Sequence, residues 1–217
     1  MTNILKQRIV LIGAGDFGKQ ILSYINTINK YIVVGFFDDK KKLGSSFENI
    51  PIIGNVDDII SKYNEGLFDC AFISIGYKWF DVRENIYNRL KYHVPLANII
   101  SPLATVKKNA ILGEGILITD NAYVSETAII EDNVCITLGS TVNHGCIVKK
   151  HTFFSTNVSL AGNVIIGEKC FIGIGCTIAD GVSICDNVWL SPGCIVVKNI
   201  KKPGQYISSA LKLFNIN

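Results

Sequence analysis

Three histidines, two adjacent aspartates and one glycine-rich turn are the residues of this 217-residue chain best suited to chemistry. Imidazole titrates near neutral pH, so a histidine can take a proton from an attacking amine or hydroxyl. His144 lies in Asn143-His144-Gly145, His151 follows Lys149-Lys150, and His93 precedes Val94-Pro95. Taken by themselves, His151 reads as a solvated corner and His93 as the end of a helix, while His144 is open between a corner and a base. The glycine-rich turn is Gly13-Ala14-Gly15-Asp16-Phe17-Gly18. Its glycines permit a tight turn and let a ligand reach backbone N–H groups where a helix begins. Asp38, twenty residues beyond Gly18, and Asp39 carry carboxylates that can accept hydrogen bonds from a base N–H or a ribose O–H. The alternative for both is a solvated turn before Lys40-Lys41-Lys42.

These groups need elements to hold them. Arg8 to Ile12 is an apolar strand, and a helical pattern runs from Lys19 to Ile28. A second strand, Ile32 to Phe37, ends at the two aspartates. A third, Asp69 to Ile75, ends at Gly76-Tyr77 before a helix from Phe80 to about Tyr92. This β-α-β order predicts a small open parallel sheet that takes ligands at the carboxyl ends of its strands. Gly13, Gly15, Asp16, Phe17, Asp38, Asp39, Gly76 and Tyr77 converge there. An aromatic such as Tyr77 could stack on a base or sugar, or pack against the rest of the chain. Alone, the turn and Asp38 suggest NAD and an oxidoreductase. A dinucleotide fold needs a second half, however, and the chain changes character, so the sheet reads as a half-site for one nucleotide.

From Ala104 to Asn199 the sequence divides into sixteen six-residue units, from ATVKKN and AILGEG to VWLSPG and CIVVKN. The third place is always bulky and apolar, from Val106 and Leu112 to Leu190 and Val196. With 48% of the chain apolar, chance would produce this on the order of once in a hundred thousand. The fifth and sixth places collect turn residues. Places one and three therefore point inward along a short strand while the rest turns a corner, which predicts a parallel β-helix. Pro95 to Pro102 reads as an extended connector into it, with domains at 1–99 and 100–217. The chain leaves the solenoid after Asn199, and a tail from Tyr206 to Asn217 caps its open end.

The hexads resemble those of the hexapeptide-repeat acyltransferases, whose solenoid is a left-handed β-helix with three hexads per coil. A GxGxxG half-sheet followed by uninterrupted hexads is similar to the bacterial sugar acyltransferases that include sialic-acid O-acetyltransferases and the bacillosamine- and perosamine-type N-acetyltransferases. That resemblance implies a nucleotide-linked sugar on the first domain, a homotrimer, and acetyl-CoA in the groove between neighbouring β-helices. The expected reaction is N-acetylation of an amino sugar for surface glycan synthesis, with O-acetylation of a sialic acid or similar sugar as its enzymatic rival. A non-catalytic trimeric scaffold that still binds nucleotide is a rival of another class.

Three hexads per coil stack residues eighteen apart. One corner column then reads Lys108, Glu126, His144, Gly162, Asp180 and Lys198. The resemblance makes His144 the general base, but the acidic residue that usually follows is replaced by Gly145. Glu126, one coil below, is expected to supply the missing carboxylate. Gly162, one coil above, is expected to leave room for a ligand beside an exposed N–H that stabilises the oxyanion. A second family histidine is replaced by Phe153, whose ring is expected against pantetheine. Ile174 and Pro192 align with CoA-contacting positions, in a largely apolar corner column with Leu138 and Thr156.

A formal charge of +3 is too small to imply nucleic-acid or membrane binding. No secretory signal is visible, and no apolar run approaches eighteen residues. Seven cysteines form no CxxC pair, and Cys146, Cys170, Cys176 and Cys194 occupy first places of hexads. They read as small core residues in a reducing cytoplasm, with no metal.

Overall fold

A computed structural model describes residues 6–208. The first domain is a five-stranded sheet, ordered β3-β4-β2-β1-β5, with β1 Gln7–Ile12, β2 Tyr31–Phe37, β3 Ser46–Phe47, β4 Ile50–Gly54 and β5 Cys70–Ile73. All pairs are parallel except the β3/β4 hairpin. Helix α1 (Asp16–Thr27) buries Ile21 and Ile25 on one face with Ile9, Leu11, Phe36 and Phe72. Helices α2 (Ile59–Asn64) and α3 (Phe80–Leu90) cover the other, burying Ile59, Ile86 and Leu90 with Val10, Ile12 and Phe37. The hairpin, its parallel pairing to β2, and α2 were not anticipated. Their signal, the short apolar run Ile50–Ile53 broken by Pro51, is too brief for periodicity to assign.

The second domain is a parallel β-helix of three sheets, paired at a register of eighteen residues, as in Tyr123↔Thr141 and Thr141↔Ser159, until its last coil, where Val188↔Gly204 shortens it to sixteen. Its physical code is visible in the backbone. Third-place residues from Ile118 to Val196 fill the interior. In fourteen of the sixteen hexads the sixth residue has φ between +53° and +70°, a left-handed conformation that favours Gly and Asn. First-place cysteines lie in the same core, and burial pushes the Cys176 thiol up to about 11 and that of Cys170 up to about 12. They are unreactive packing residues.

Two expectations about the ends are corrected. Ile99–Ile100 already pairs with Leu117–Ile118, so Pro95 to Pro102 supplies the first β-helix strand as well as the connection. After Asn199 the chain does not leave the solenoid, because Gly204–Tyr206 pairs with Val188–Leu190. A cap formed by 209–217 lies outside the described residues. The domains are joined by packing: Leu117, Cys135, Phe153 and Phe171 of the β-helix share one core with Leu11, Ile21 and Phe36. The outcome is the expected architecture, a Rossmann-like half-sheet docked on a left-handed parallel β-helix.

Candidate functional site

The carboxyl ends of the first-domain strands open into a cleft of ≈ 810 Å³ whose other wall is the β-helix. Gly13, Gly15, Asp16, Phe17, Asp38, Asp39, Gly76 and Tyr77 all line it, opposite Thr119, Leu138, Phe153 and Thr156. Gly13 has φ +106°, and a Cβ there would meet Ile75 Cγ1 at 2.8 Å. A Cβ on Gly18 would lie 2.3 Å from the Gly13 carbonyl oxygen. These two glycines therefore allow the turn and helix to nest, whereas Gly15 faces open space. Gly15 caps α1 with no side-chain bond, which leaves first-turn N–H groups for an anion in the cleft.

The aspartates are engaged differently from the expectation. Asp38 accepts the Ala14 N–H at 2.7 Å on one oxygen and the Lys40 N–H at 2.8 Å on the other. Asp39 accepts the Val56 N–H at 2.8 Å. Their first role is to hold the loops that form the cleft. Tyr77 is likewise occupied: its ring lies 4.5 Å from Phe171, 5.3 Å from Phe153 and 5.8 Å from Trp189. Packing between the domains, one of the two roles expected for it, engages the ring, and the residue also lines the cleft. Phe153 is only 5% exposed, held between Tyr77 and Phe17, so its ring packs between the domains while the residue lines the cleft.

His144 stands on another edge of the prism, exposed at its corner. Strand register places Glu126, His144, Gly162 and Asp180 in one column. A Cβ on Gly162 would meet His144 Cε1 at 2.5 Å and Nε2 at 2.8 Å, with Asp180 Oδ1 at 2.8 Å. The space expected above His144 is thus filled by the imidazole itself and by Asp180. The Gly162 N–H has no hydrogen-bond partner among the described residues, which leaves it able to donate. Glu126 makes no hydrogen bond or ion pair with His144 among the described residues; the carboxylate that shares the Gly162 position with the ring is Asp180. Gly145, where the family acid is missing, has φ +68° and closely accommodates Asn163 Oδ1. Gly162→Ala is expected to fold normally, because the exposed imidazole and the end of the Asp180 side chain can both swing aside. Displacing the ring should lower turnover by on the order of a hundredfold with the melting temperature unchanged.

Sequence reasoning missed the joint between the domains. Arg83 on α3 is fully buried, and its guanidinium donates to the carbonyl oxygens of Ile73, Ile75 and Asn133 and, at 2.7 Å, to Asn133 Oδ1. Tyr87, one turn on, donates to Asp132 Oδ2 at 2.7 Å. His151 is not a solvated corner: it is 3% exposed, bonded through Nδ1 to Asn133 Nδ2 at 2.9 Å, with Tyr87 edge-on at 5.1 Å. Desolvation, chiefly, lowers its pKa to about 4. Because the folded value lies below the unfolded one of about 6.5, stability is complete above that value and falls as pH drops toward 4. The loss is roughly 3 kcal/mol. His151→Asn, a residue suited to the left-handed sixth place, should flatten that part of the stability profile in urea melts at pH 7 and pH 4.5.

Among the described residues no cluster suits a metal ion, and no helix is long and apolar enough to cross a membrane. No curated protein matches the sequence. Residues 8–90 match the model of the PglD N-terminal domain. The acetyltransferase domain of PglB from Neisseria gonorrhoeae FA1090, in complex with acetyl coenzyme A, is 25% identical, with a TM-score of 0.84 over 94% of this chain and 97% of its own. A variant of perosamine N-acetyltransferase from Caulobacter crescentus, in complex with CoA and GDP-perosamine, is 23% identical, with a TM-score of 0.85 over 92% of this chain and 93% of its own. WeeI from Acinetobacter baumannii AYE is 20% identical, with a TM-score of 0.63 over 92% and 96%. Residues 8–90 thus resemble the PglD N-terminal domain, and the chain as a whole shares the two-part fold of the PglB acetyltransferase domain.

Proposed function

We propose that this chain transfers the acetyl group of acetyl-CoA to the amine of a nucleotide-linked sugar, with His144 as general base. The observation that carries the reading is the His144 ring lying over Gly162, whose N–H has no partner among the described residues, in a chain with a nucleotide-sized cleft. A base and a fixed backbone donor are the two groups that aminolysis of a thioester needs. The sugar amine attacks the carbonyl carbon and forms the C–N bond. His144 takes the amine proton, and the Gly162 N–H receives the charge developing on oxygen. The C–S bond then breaks, and the departing thiolate needs little acid assistance.

The cleft borders the corner bearing Leu138 and Thr156, while His144 occupies a different edge. The reading therefore requires a second copy of the chain, whose His144 edge meets the cleft of the first, as in a homotrimer. Leu138 and Ile174, 42% and 48% exposed on the apolar column that Pro192 continues, are the surface assigned to the neighbour and to CoA. The PglB domain binds acetyl coenzyme A and the perosamine enzyme binds GDP-perosamine, which supports both substrate classes.

The test is release of free thiol from acetyl-CoA with amino-sugar and hydroxy-sugar nucleotides as acceptors. Release with the amine alone is expected. Release with the hydroxy sugar alone makes the enzyme an O-acetyltransferase, and nucleotide binding without release from any acceptor makes the protein a scaffold.

A further inference from the structure

We propose that Trp79 and Lys40 form a clamp for the nucleoside diphosphate at the mouth of the cleft, the indole stacking on the base and the ammonium group pairing with the phosphates. This rests on the reading of the cleft as a nucleotide-sugar site and assigns to it a base platform. The sheet order places β1 between β2 and β5. Lys40 follows β2 and Trp79 follows β5, so the two reach toward each other across the glycine-rich turn that follows β1. Lys40 Nζ lies 5.3 Å from the centre of the Trp79 ring, and both residues line the cleft.

Each partner is presented by a built feature. The 3-10 turn Tyr77–Trp79 is anchored at one end by Tyr77 on the β-helix aromatics, which leaves Trp79 at the other end 56% exposed. An indole so exposed on the wall of the cleft offers its face to a planar partner there. Asp38 fixes the Lys40 backbone by accepting its N–H at 2.8 Å. The carboxylates of Asp38 and Asp39 are already engaged with backbone N–H groups, and Asp16 is the remaining acid on the cleft wall. Lys40 and Lys78 are the cations lining the cleft among the described residues, suited to a diphosphate lying at the α1 N-terminus. In the free protein the Lys40 ammonium covers the indole face. Arrival of a base displaces it from the ring toward the phosphates, an exchange of one partner for another on each side.

Calorimetry with UDP and GDP, each compared with its nucleoside, tests the clamp. Trp79→Ala should weaken nucleoside-diphosphate binding about tenfold or more, with Trp79→Phe recovering most of it. Lys40→Met should weaken the diphosphates about tenfold while leaving uridine or guanosine within about twofold. In a Trp189→Phe background, where Trp79 is the single tryptophan of the sequence, UDP or GDP should quench its fluorescence. If the parent protein binds nucleoside diphosphate and Trp79→Ala binds it equally well, the clamp is wrong while the cleft assignment stands. If the parent binds neither UDP nor GDP, the nucleotide reading fails and the clamp with it.

Discussion

His144→Ala is expected to lower turnover of acetyl-CoA and amino-sugar nucleotide by about 10²–10⁴-fold, the usual worth of a positioned general base. The Michaelis constant for the sugar nucleotide should change little, since a base that takes its proton during attack acts on the transition state rather than on the bound nucleotide. Melting temperature should hold, because the side chain is exposed and makes no hydrogen bond among the described residues. Retention of full activity by the alanine variant would remove His144 from the mechanism. The companion substitutions Glu126→Gln and Asp180→Asn separate the two carboxylates of the column. Asp180 shares the Gly162 position with the ring, so its loss should lower turnover by freeing the imidazole to move, whereas Glu126→Gln should leave turnover near that of the parent.

The largest expected effect on stability lies at Arg83. Arg83→Leu strands the carbonyl oxygens of Ile73 and Ile75 and the side chain of Asn133 in a site closed to water. Each stranded acceptor costs about 1–3 kcal/mol, and roughly 3–5 kcal/mol in total is expected after local relaxation. Loss of that size should uncouple the domains, so that urea unfolding of the variant shows two transitions where the parent shows one. A single transition at an unchanged midpoint would mean that the guanidinium is not what joins them. Lys169 bridges the same surfaces through Asp81 and Glu84 at 3.0 and 2.9 Å. That bridge is partly exposed, and its removal should cost about 1 kcal/mol or less.

The β-helix was legible because its code is local. An inward third place and a left-handed sixth place repeat at a fixed interval, and each hexad states both independently of what it touches. The glycine-rich turn was legible through its GxGxxG spacing: Gly18 is demanded by the Gly13 carbonyl within one β-α unit, whereas Gly13 is demanded by Ile75 at the end of a distant strand. What escaped reading depended on surfaces far apart in sequence. Tyr77 stayed open between stacking on a ligand and packing on the β-helix because nothing nearby in the chain announces Phe171 and Trp189 beneath it. His151, after two lysines, looked solvated because α3 arrives from sixty residues away to bury it under Tyr87. Arg83 drew no reading at all, since an opposing face made of backbone carbonyls leaves no apolar signature in the sequence. Asp38 and Asp39 were identified as cleft residues, but their backbone partners, Ala14 and Val56, are set by tertiary loop packing.

The left-handed corners carry an evolutionary corollary. Since the frame depends on the third and sixth places, the residue between turns is released from structural duty, and substitutions along a vertical row leave the scaffold intact. A reacting group can therefore migrate one storey up or down by point changes alone. Relatives built on this frame are free to relocate their chemistry without refolding, and the loss of an acid beside an imidazole need not mean the loss of the activity.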